Sequence, residues 1–191
     1  MSTKTETRKE EIIRIAAKLF KQKGYSAVTM RDLAKTMGIK AASLYNHIES
    51  KQAILQDVIL TIAEEFTLGM ASIQNQKASS TEQLKALIQL HVRIACHNPD
   101  GLAALNSDWM HLEDKLEYYL QLRNDYEANF RHIIERGIEN KEIKNVDIEV
   151  ILFSMLSTLR TLYLWIPKKD RLSEDELSAS LTKILIEGIN T

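Results

Sequence analysis

The sequence contains few of the residues that cross-link, break or loosen a chain. A single cysteine, Cys96, excludes an internal disulfide and is interpreted as a small buried side chain. Two prolines and six glycines among 191 residues permit long helices almost everywhere. No uninterrupted apolar run approaches the roughly 20 residues that cross a bilayer, and the polar N-terminus has no signal-peptide core. We therefore expect a soluble, cytoplasmic protein.

The sequence also lacks the signatures of catalysis and of metal binding. It has no glycine-rich phosphate loop, no nucleophile motif and no carboxylate pair in a setting typical of an active site. The five histidines include no close metal-ligand pair, since His91 and His97 are six residues apart and do not share a helix face. We therefore predict that the protein is not an enzyme and needs neither metal nor cofactor.

Charge is unevenly distributed along the chain, although its net value is only −1. Residues 1–51 hold 11 Lys or Arg and 5 Asp or Glu, a net charge of +6, whereas residues 52–191 hold 14 and 21, a net charge of −7. Because phosphate contacts dominate nucleic-acid affinity, the basic N-terminal part is the part expected to face double-stranded DNA.

Residues 29–51 have the pattern of two short helices joined by a glycine turn. Gly38 can adopt the positive φ that a sharp turn needs, and Ala34 is small where the helices touch. The apolar residues beneath them are Leu33, Met37, Ile39 and Leu44. The second helix exposes small and polar side chains, as a helix in the major groove must. The pattern alone is loose, and helix pairs with no DNA role would also match it.

Two sets of residues in this segment are predicted to contact DNA. Those expected to meet the phosphate backbone are Thr29, Arg31, Tyr45, His47 and Lys51. Those expected to reach base edges from the second helix are Lys40, Ala41, Ala42, Ser43 and Asn46, with Lys40 directed to guanine and Asn46 to adenine.

The N-terminal pattern resembles the DNA-binding domain of the tetracycline-repressor (TetR) family over about 45 residues in register. The matching segments are Phe20–Tyr25, Val28–Ala34, Met37–Ile39, Ser43–Ile48 and Ser50–Lys51. The chain departs from the family at Ile48, where members usually carry an aromatic residue, and at Ala42, where many carry glycine. The resemblance implies a three-helix DNA-binding domain followed by a helical body that forms the dimer and an inducer pocket.

We therefore predict an all-α fold of about nine helices. The N-terminal helix-turn-helix DNA-binding domain is expected in residues 1–50, and a helical effector-binding and dimerisation domain in residues 51–191. A long helix that begins after Ser50 is expected to link them. Capping boxes at Ser80–Gln83 and Ser173–Glu176 are predicted to open two of the body helices.

A helix predicted from about Asp147 to Trp165 is apolar on nearly every side, and a second one follows from Glu174 to Gly188. A second copy best provides the additional burial that such a helix needs in a small chain. We predict a homodimer interface of four helices, formed by Ile151, Met155, Leu159, Leu162, Trp165, Leu177, Leu181 and Ile184. Burial entirely within one subunit is the alternative.

Arg123 lies in the apolar stripe of a helix predicted from Leu112 to about Ile138, where an unpaired guanidinium is costly. It either meets an anionic group of an effector or pairs with Glu127 one turn later. His91 is either a ligand contact or a core histidine bonded to a carbonyl. The candidate ligand-binding residues are His91, Trp109, Tyr119, Arg123, Tyr126, Phe130 and Phe153, although the aromatic ones could equally belong to the core.

The body carries a second resemblance. Trp109–Phe130, Gly137, Trp165–Pro167 and Leu172–Ser173 are similar to the C-terminal domain of TetR-family regulators of fatty-acid and sterol breakdown, some of which respond to acyl-CoA thioesters. This similarity implies a transcriptional repressor released from its operator by a small-molecule effector such as fatty acyl-CoA or a similar lipid. The alternatives are a regulator that responds to another hydrophobic compound and a helical interaction protein that does not bind an operator.

Overall fold

The structure, a computed structural model, describes residues 6–166 and 172–189. All regular elements in these residues are helical, which confirms the predicted all-α fold. Two 3₁₀ turns, Trp109–His111 and Glu113–Lys115, lie between the helix that ends at Ser107 and the helix that begins at Leu116. The α-helices are α1 Arg8–Lys23, α2 Met30–Thr36, α3 Ala41–Leu44, α4 Lys51–Gln74, α5 Ser80–His97, α6 Pro99–Ser107, α7 Leu116–Glu139, α8 Ile148–Arg160, α9 Leu162–Trp165 and α10 Glu174–Glu187.

Side-chain caps begin several of these helices. The capping box predicted at Ser173–Glu176 is present. The one predicted at Ser80–Gln83 is wrong by one residue, because Ser79 caps α5 and Glu82 completes the box. Ser80 and Gln83 are buried instead, and both accept hydrogen bonds from the Arg136 guanidinium.

The single helix predicted over Asp147–Trp165 is divided at Thr161 into α8 and α9. Hydroxyl groups along α8 bond to carbonyls one turn back: Ser154 to Val150 at 2.7 Å, Thr158 to Ser154 at 3.0 Å and Thr161 to Ser157 at 2.9 Å. Such bonds compete with the helical ladder and bend helices, which accounts for the break. Pro167, part of the Trp165–Pro167 segment noted above, lies outside the described residues.

The helices form two compact units. The first contains the residues up to Ile62 together with Asp100–Tyr119, and the second contains Ala63–Pro99 and the residues from Leu120 onward. The first unit is therefore larger than the DNA-binding domain predicted for residues 1–50, because it includes the start of α4 and the α6 segment. The functional boundary at residue 50 stays a prediction.

The core of the first unit is built from one apolar face of each short helix. Side chains exposed by no more than 4% include Ile12, Ala16, Phe20, Leu33, Ala34, Leu44, Ile48, Ile54 and Leu55. Ile48 thus fills a core position although it is not aromatic. Burial of these side chains fixes α2 and α3 on α1 and leaves their polar faces to solvent.

In the second unit α5 packs against α8, α9 and α10. Its own buried residues include Leu84, Leu87, Ile88, Val92 and Ala95. The inward side of α8 is buried in the same core, while its outward side exposes Val150 and Phe153 beside the polar Glu149 and Ser154.

The stretch Ile148–Trp165 is long and apolar enough to cross a membrane by length and composition, with a mean hydropathy of 1.3 over 18 residues. Core helices of soluble proteins pass the same test, so this is weak evidence for a membrane span. The stretch includes Glu149 and Arg160, is interrupted at Thr161, and buries Met155 and Leu159 within its own chain.

Candidate DNA-binding surface and effector site

The segment from α2 to α3 forms a tight helix-turn-helix. Thr29 and Asp32 make the capping box that begins α2: the Asp32 N–H donates to Thr29 Oγ1 at 3.1 Å, and the Thr29 N–H donates to Asp32 Oδ2 at 2.9 Å. Hydrogen bonds from the Thr29 hydroxyl and N–H lower the pKa of Asp32. Gly38 has a φ of 68°, and the Ile39 N–H donates to the Ala34 carbonyl at 3.0 Å. The glycine therefore makes the turn that sets α3 against α2.

The second helix is shorter than predicted. Lys40 precedes it in an extended conformation, and Asn46 follows it in a turn, so these two predicted base-contacting residues lie outside the helix, which contains the other three. The His47 N–H donates to the Leu44 carbonyl at 2.9 Å. This bond to the third residue back tightens the final turn and ends α3.

Most of the predicted DNA-contacting residues lie on the surface around this turn. Thr29, Arg31, Lys40, Ala42, Tyr45, Asn46 and His47 are exposed, and Ala41, Ser43 and Lys51 are half-buried. Tyr45 is 57% exposed next to the fully buried Leu44. The structure therefore presents a polar edge on an apolar base, as groove binding requires.

Lys51 has a role that the sequence did not predict. Its Nζ donates to the carbonyls of Tyr25 at 3.0 Å and Val28 at 2.9 Å, and it lies 4.2 Å from the centroid of the Tyr25 ring. Because two of the three ammonium donors bind backbone, Lys51 ties the start of α4 to the loop before α2. This contact differs from the predicted direct contact with phosphate.

A polar chain missed by sequence reasoning supports the same loop. The Tyr25 hydroxyl donates to Gln52 Oε1 at 2.6 Å, and Gln52 Nε2 donates to the His111 carbonyl at 2.6 Å. Burial raises the pKa of Tyr25, which keeps this hydroxyl protonated. No sequence signal could have found the chain, because Gln52 and His111 are far apart in sequence.

In the second unit, His91 and Tyr126 form a buried polar pair inside an aromatic cluster. His91 Nε2 lies 2.9 Å from Tyr126 Oη, and the rings of Phe66 and Phe130 pack around them. Burial, with a smaller contribution from the Arg160 charge, lowers the pKa of His91 to about 3. Burial also raises the pKa of Tyr126. His91 is therefore a neutral core histidine whose partner is a tyrosine hydroxyl rather than the expected carbonyl.

Arg123 is paired, as the second interpretation of its position expected. Its Nε lies 3.3 Å from Glu127 Oε1, and Arg160 Nη2 reaches the same oxygen at 2.6 Å. Burial alone would raise the pKa of Glu127, but hydrogen bonds and charge from Arg160 and Arg123 outweigh it and lower the pKa. Two guanidinium groups therefore share one carboxylate in a half-buried cluster.

The structure does not bring the seven candidate ligand-binding residues together. Trp109 and Tyr119 stack on each other within the first unit, with ring centroids 6.0 Å apart. Phe153, on α8, is 73% exposed and cannot line an internal cavity, so this assignment is wrong. The remaining candidates, His91, Arg123, Tyr126 and Phe130, lie in the second unit.

Burial also corrects the predicted dimer interface. Ile151, Met155, Leu159, Leu162 and Leu177 are at most 6% exposed in the single chain, so they offer a second copy little surface. Trp165 and Ile184 are exposed, and Leu181 is half-buried. We name the exposed apolar face of α8 to α10 the outer face; it consists of Val150, Phe153, Leu164, Trp165 and Ile184.

A shallow groove of about 250 Å³ lies within this part of the second unit. It is lined by Thr158, Thr161, Leu162, Trp165, Leu177 and Leu181. Four of these residues were predicted at the dimer interface, and none was predicted to bind the effector.

The basic, exposed helix-turn-helix on a helical body defines the class of helix-turn-helix DNA-binding regulators. Residues 12–58 match the family model described as bacterial regulatory proteins, tetR family, and residues 77–189 match the one described as tetracyclin repressor-like, C-terminal domain. The chain belongs to the TetR family. It is a ligand-responsive DNA-binding transcriptional regulator and not an enzyme.

Individual relatives agree with this assignment. The chain is 22% identical to the HTH-type transcriptional repressor KstR2 of Rhodococcus jostii, over 95% of this chain and 91% of the relative. The structure of the ketosteroid transcriptional regulator KstR2 of Mycobacterium tuberculosis superposes with a TM-score of 0.91 at 19% identity, covering 98% of this chain and 97% of that one. The structure of AibR in complex with isovaleryl coenzyme A and operator DNA has a TM-score of 0.76 at 19% identity, with 94% and 98% covered.

Proposed function

We propose that the protein is a cytoplasmic repressor that binds operator DNA as a homodimer and leaves it when an acyl-CoA or a similar lipid binds the second unit. The observation that carries the DNA-binding part is the exposed polar edge formed by α3 and the turn after it. Thr29 and Arg31 at the start of α2, together with Tyr45 after α3, are exposed for contact with phosphates, while Ala42 and Asn46 are exposed for contact with bases. The sequence up to residue 51 has a net charge of +6, which favours a polyanion.

Selection of duplexes from a random pool tests DNA binding. We expect the protein to enrich one short, near-palindromic sequence and to bind it more weakly as salt rises. Arg31→Gln should weaken binding to all duplexes, while Arg93→Gln, which removes an exposed arginine of α5, should not. Failure to select any sequence would support a helical interaction protein instead.

The outer face supports the homodimer. It groups five large apolar side chains on α8, α9 and α10, each at least 39% exposed in the single chain. Large exposed apolar side chains of this kind mark an interaction site, and a two-fold dimer buries the same residues of both copies. Two linked helix-turn-helix units can then occupy two half-sites.

The Arg123–Glu127–Arg160 cluster supports an anionic effector. The Arg160 guanidinium lies near the apolar core, since its charge acts on both His91 and Tyr126. An acyl-CoA combines an apolar chain with phosphates. In the second unit the apolar core is the counterpart of the chain, and the guanidinium groups of the cluster are the counterpart of the phosphates. Binding that favours the conformation with low operator affinity would weaken DNA binding by about 5- to 150-fold.

A thermal-shift screen tests the effector with acyl-CoAs of increasing chain length, free CoA and fatty acids. We expect the acyl-CoAs to raise the melting temperature, and Arg160→Gln to reduce that increase. The matched control is Arg131→Gln, which removes an arginine of α7 paired with Glu149 at 2.5 Å. If only another class of hydrophobic compound stabilises the protein, the acyl-CoA proposal fails and the DNA-binding proposal stands.

A further inference from the structure

The segment Asp100–Tyr119 belongs to the same compact unit as the helix-turn-helix, although it follows α5 in sequence. The side-chain contacts that hold it there include the following three. Lys21 Nζ lies 2.8 Å from Asp100 Oδ1, and Gln56 Nε2 donates to Asp114 Oδ1 at 2.7 Å. The third is the bond from Gln52 Nε2 to the His111 carbonyl. The DNA-binding unit therefore contains a segment whose two ends continue into residues of the second unit.

The Gln52 contact reaches the DNA-contacting loop through Tyr25, whose ring also packs against His111 with centroids 5.3 Å apart. The Gln52 amide accepts from the Tyr25 hydroxyl and donates to the His111 carbonyl, so one side chain joins the two. Tyr25 is 8% exposed and packs edge-on against Phe20, with ring centroids 5.2 Å apart. The Tyr25 carbonyl accepts from Lys51, which also holds Val28, the residue before Thr29. Displacement of His111 is therefore transmitted to the start of α2.

Only an amide of this length can make both bonds. A carboxylate accepts from Tyr25 but cannot donate to a carbonyl, and a leucine makes neither bond. Both contacts are half-buried, so losing either one leaves a polar group without its partner.

We propose that the chain Tyr25–Gln52–His111 holds the helix-turn-helix in its DNA-binding orientation, and that Gln52 is the positioning residue through which Asp100–Tyr119 controls operator affinity. Gln52 itself contacts no DNA. The inference rests on the DNA-binding function.

The test measures the dissociation constant for a duplex selected by the wild-type protein. We expect Gln52→Leu, Gln52→Glu and Tyr25→Phe each to weaken binding about two- to tenfold, the range of one lost hydrogen bond. Tyr25→Phe combined with Gln52→Leu should weaken binding no more than Gln52→Leu alone, because both remove the same link. Gln74→Leu, which removes a side-chain bond from α4 to Asn129, is the control and should bind like wild type.

Hydrogen–deuterium exchange gives the readout that a merely structural role would not change. Coupling is reciprocal, so operator DNA should slow amide exchange in residues 109–115 of the wild type. That protection should disappear in Gln52→Glu and persist in Gln74→Leu. Tyr25→Phe keeps the ring and its packing, and it carries the test if a Gln52 variant fails to fold.

Two results would overturn the inference. Either Gln52→Glu and Tyr25→Phe bind the selected duplex like wild type, or operator DNA leaves exchange in residues 109–115 unchanged in the wild type. A wild-type protein that selects no duplex would instead refute the DNA-binding function itself.

Discussion

Acidification should destabilise this protein through His91, which is buried and neutral. The pKa of its imidazole is lowered from 6.5 to about 3 in the folded state. Above pH 6.5 the side chain is neutral whether the chain is folded or not, so it contributes no pH dependence there. Between pH 6.5 and pH 3 the unfolded state binds a proton that the folded state excludes. The free energy of unfolding therefore decreases as the pH is lowered through that window.

The size of the effect follows from the slope of about 1.4 kcal/mol per pH unit. At pH 5 the contribution of His91 is a loss of about 2 kcal/mol relative to pH 7, which corresponds to a decrease in melting temperature of about 4 to 8 °C. In more acidic solution, carboxylates with a lowered pKa, such as Glu127, also become protonated and decrease the free energy of unfolding further. A variant without His91 is needed to separate the two contributions.

The double variant His91→Phe and Tyr126→Phe removes both polar partners, so neither is left buried and unpaired. We expect its stability to fall about 2 kcal/mol less than that of wild type between pH 7 and pH 5, measured by urea denaturation with circular dichroism. His132→Gln, which removes a histidine whose side chain is 66% exposed, should follow the wild-type curve. Parallel curves for wild type and the double variant would refute the assignment of His91 as a buried neutral group.

Three further variants test the turn, the base contact and the dimer. Gly38→Ala should lower the free energy of unfolding by about 1 kcal/mol, because a residue with a Cβ disfavours the φ of 68° at this position. Steric contact adds nothing, since no atom lies within 4 Å of an added Cβ. Equal stability of the variant and the wild type in urea would contradict this prediction. Asn46→Ala should relax preference at one base position by about 1 to 3 kcal/mol, whereas Tyr45→Phe should weaken all duplexes alike, and equal losses on every duplex for Asn46→Ala would exclude its base contact. Phe153→Glu should give a monomer in sedimentation velocity while Leu68→Glu, at an isolated exposed position, stays dimeric; a dimeric Phe153→Glu would remove the outer face from the interface.

Local patterns were sufficient for much of the fold and for the position of the candidate DNA-binding surface. The capping box at Ser173–Glu176 and the left-handed Gly38 were both predicted, because caps and turns depend on residues only a few positions apart. The end of α3 was not predicted. The end of α3 depends on the His47 N–H, which donates to the Leu44 carbonyl three residues back and not to the carbonyl four residues back that would continue the helix.

The sequence by itself determined that the chain is helical and that its basic end carries a helix-turn-helix. It left open whether the apolar residues of α8 are buried within one chain or against a second copy, because both kinds of burial need the same apolar side chains. Packing against α5 buries Met155 and exposes Phe153, and this decides which residues a partner can reach. The tertiary structure alone also joins Gln52 to His111 and Arg160 to Glu127, since such contacts depend on how distant segments pack and leave no pattern in either segment.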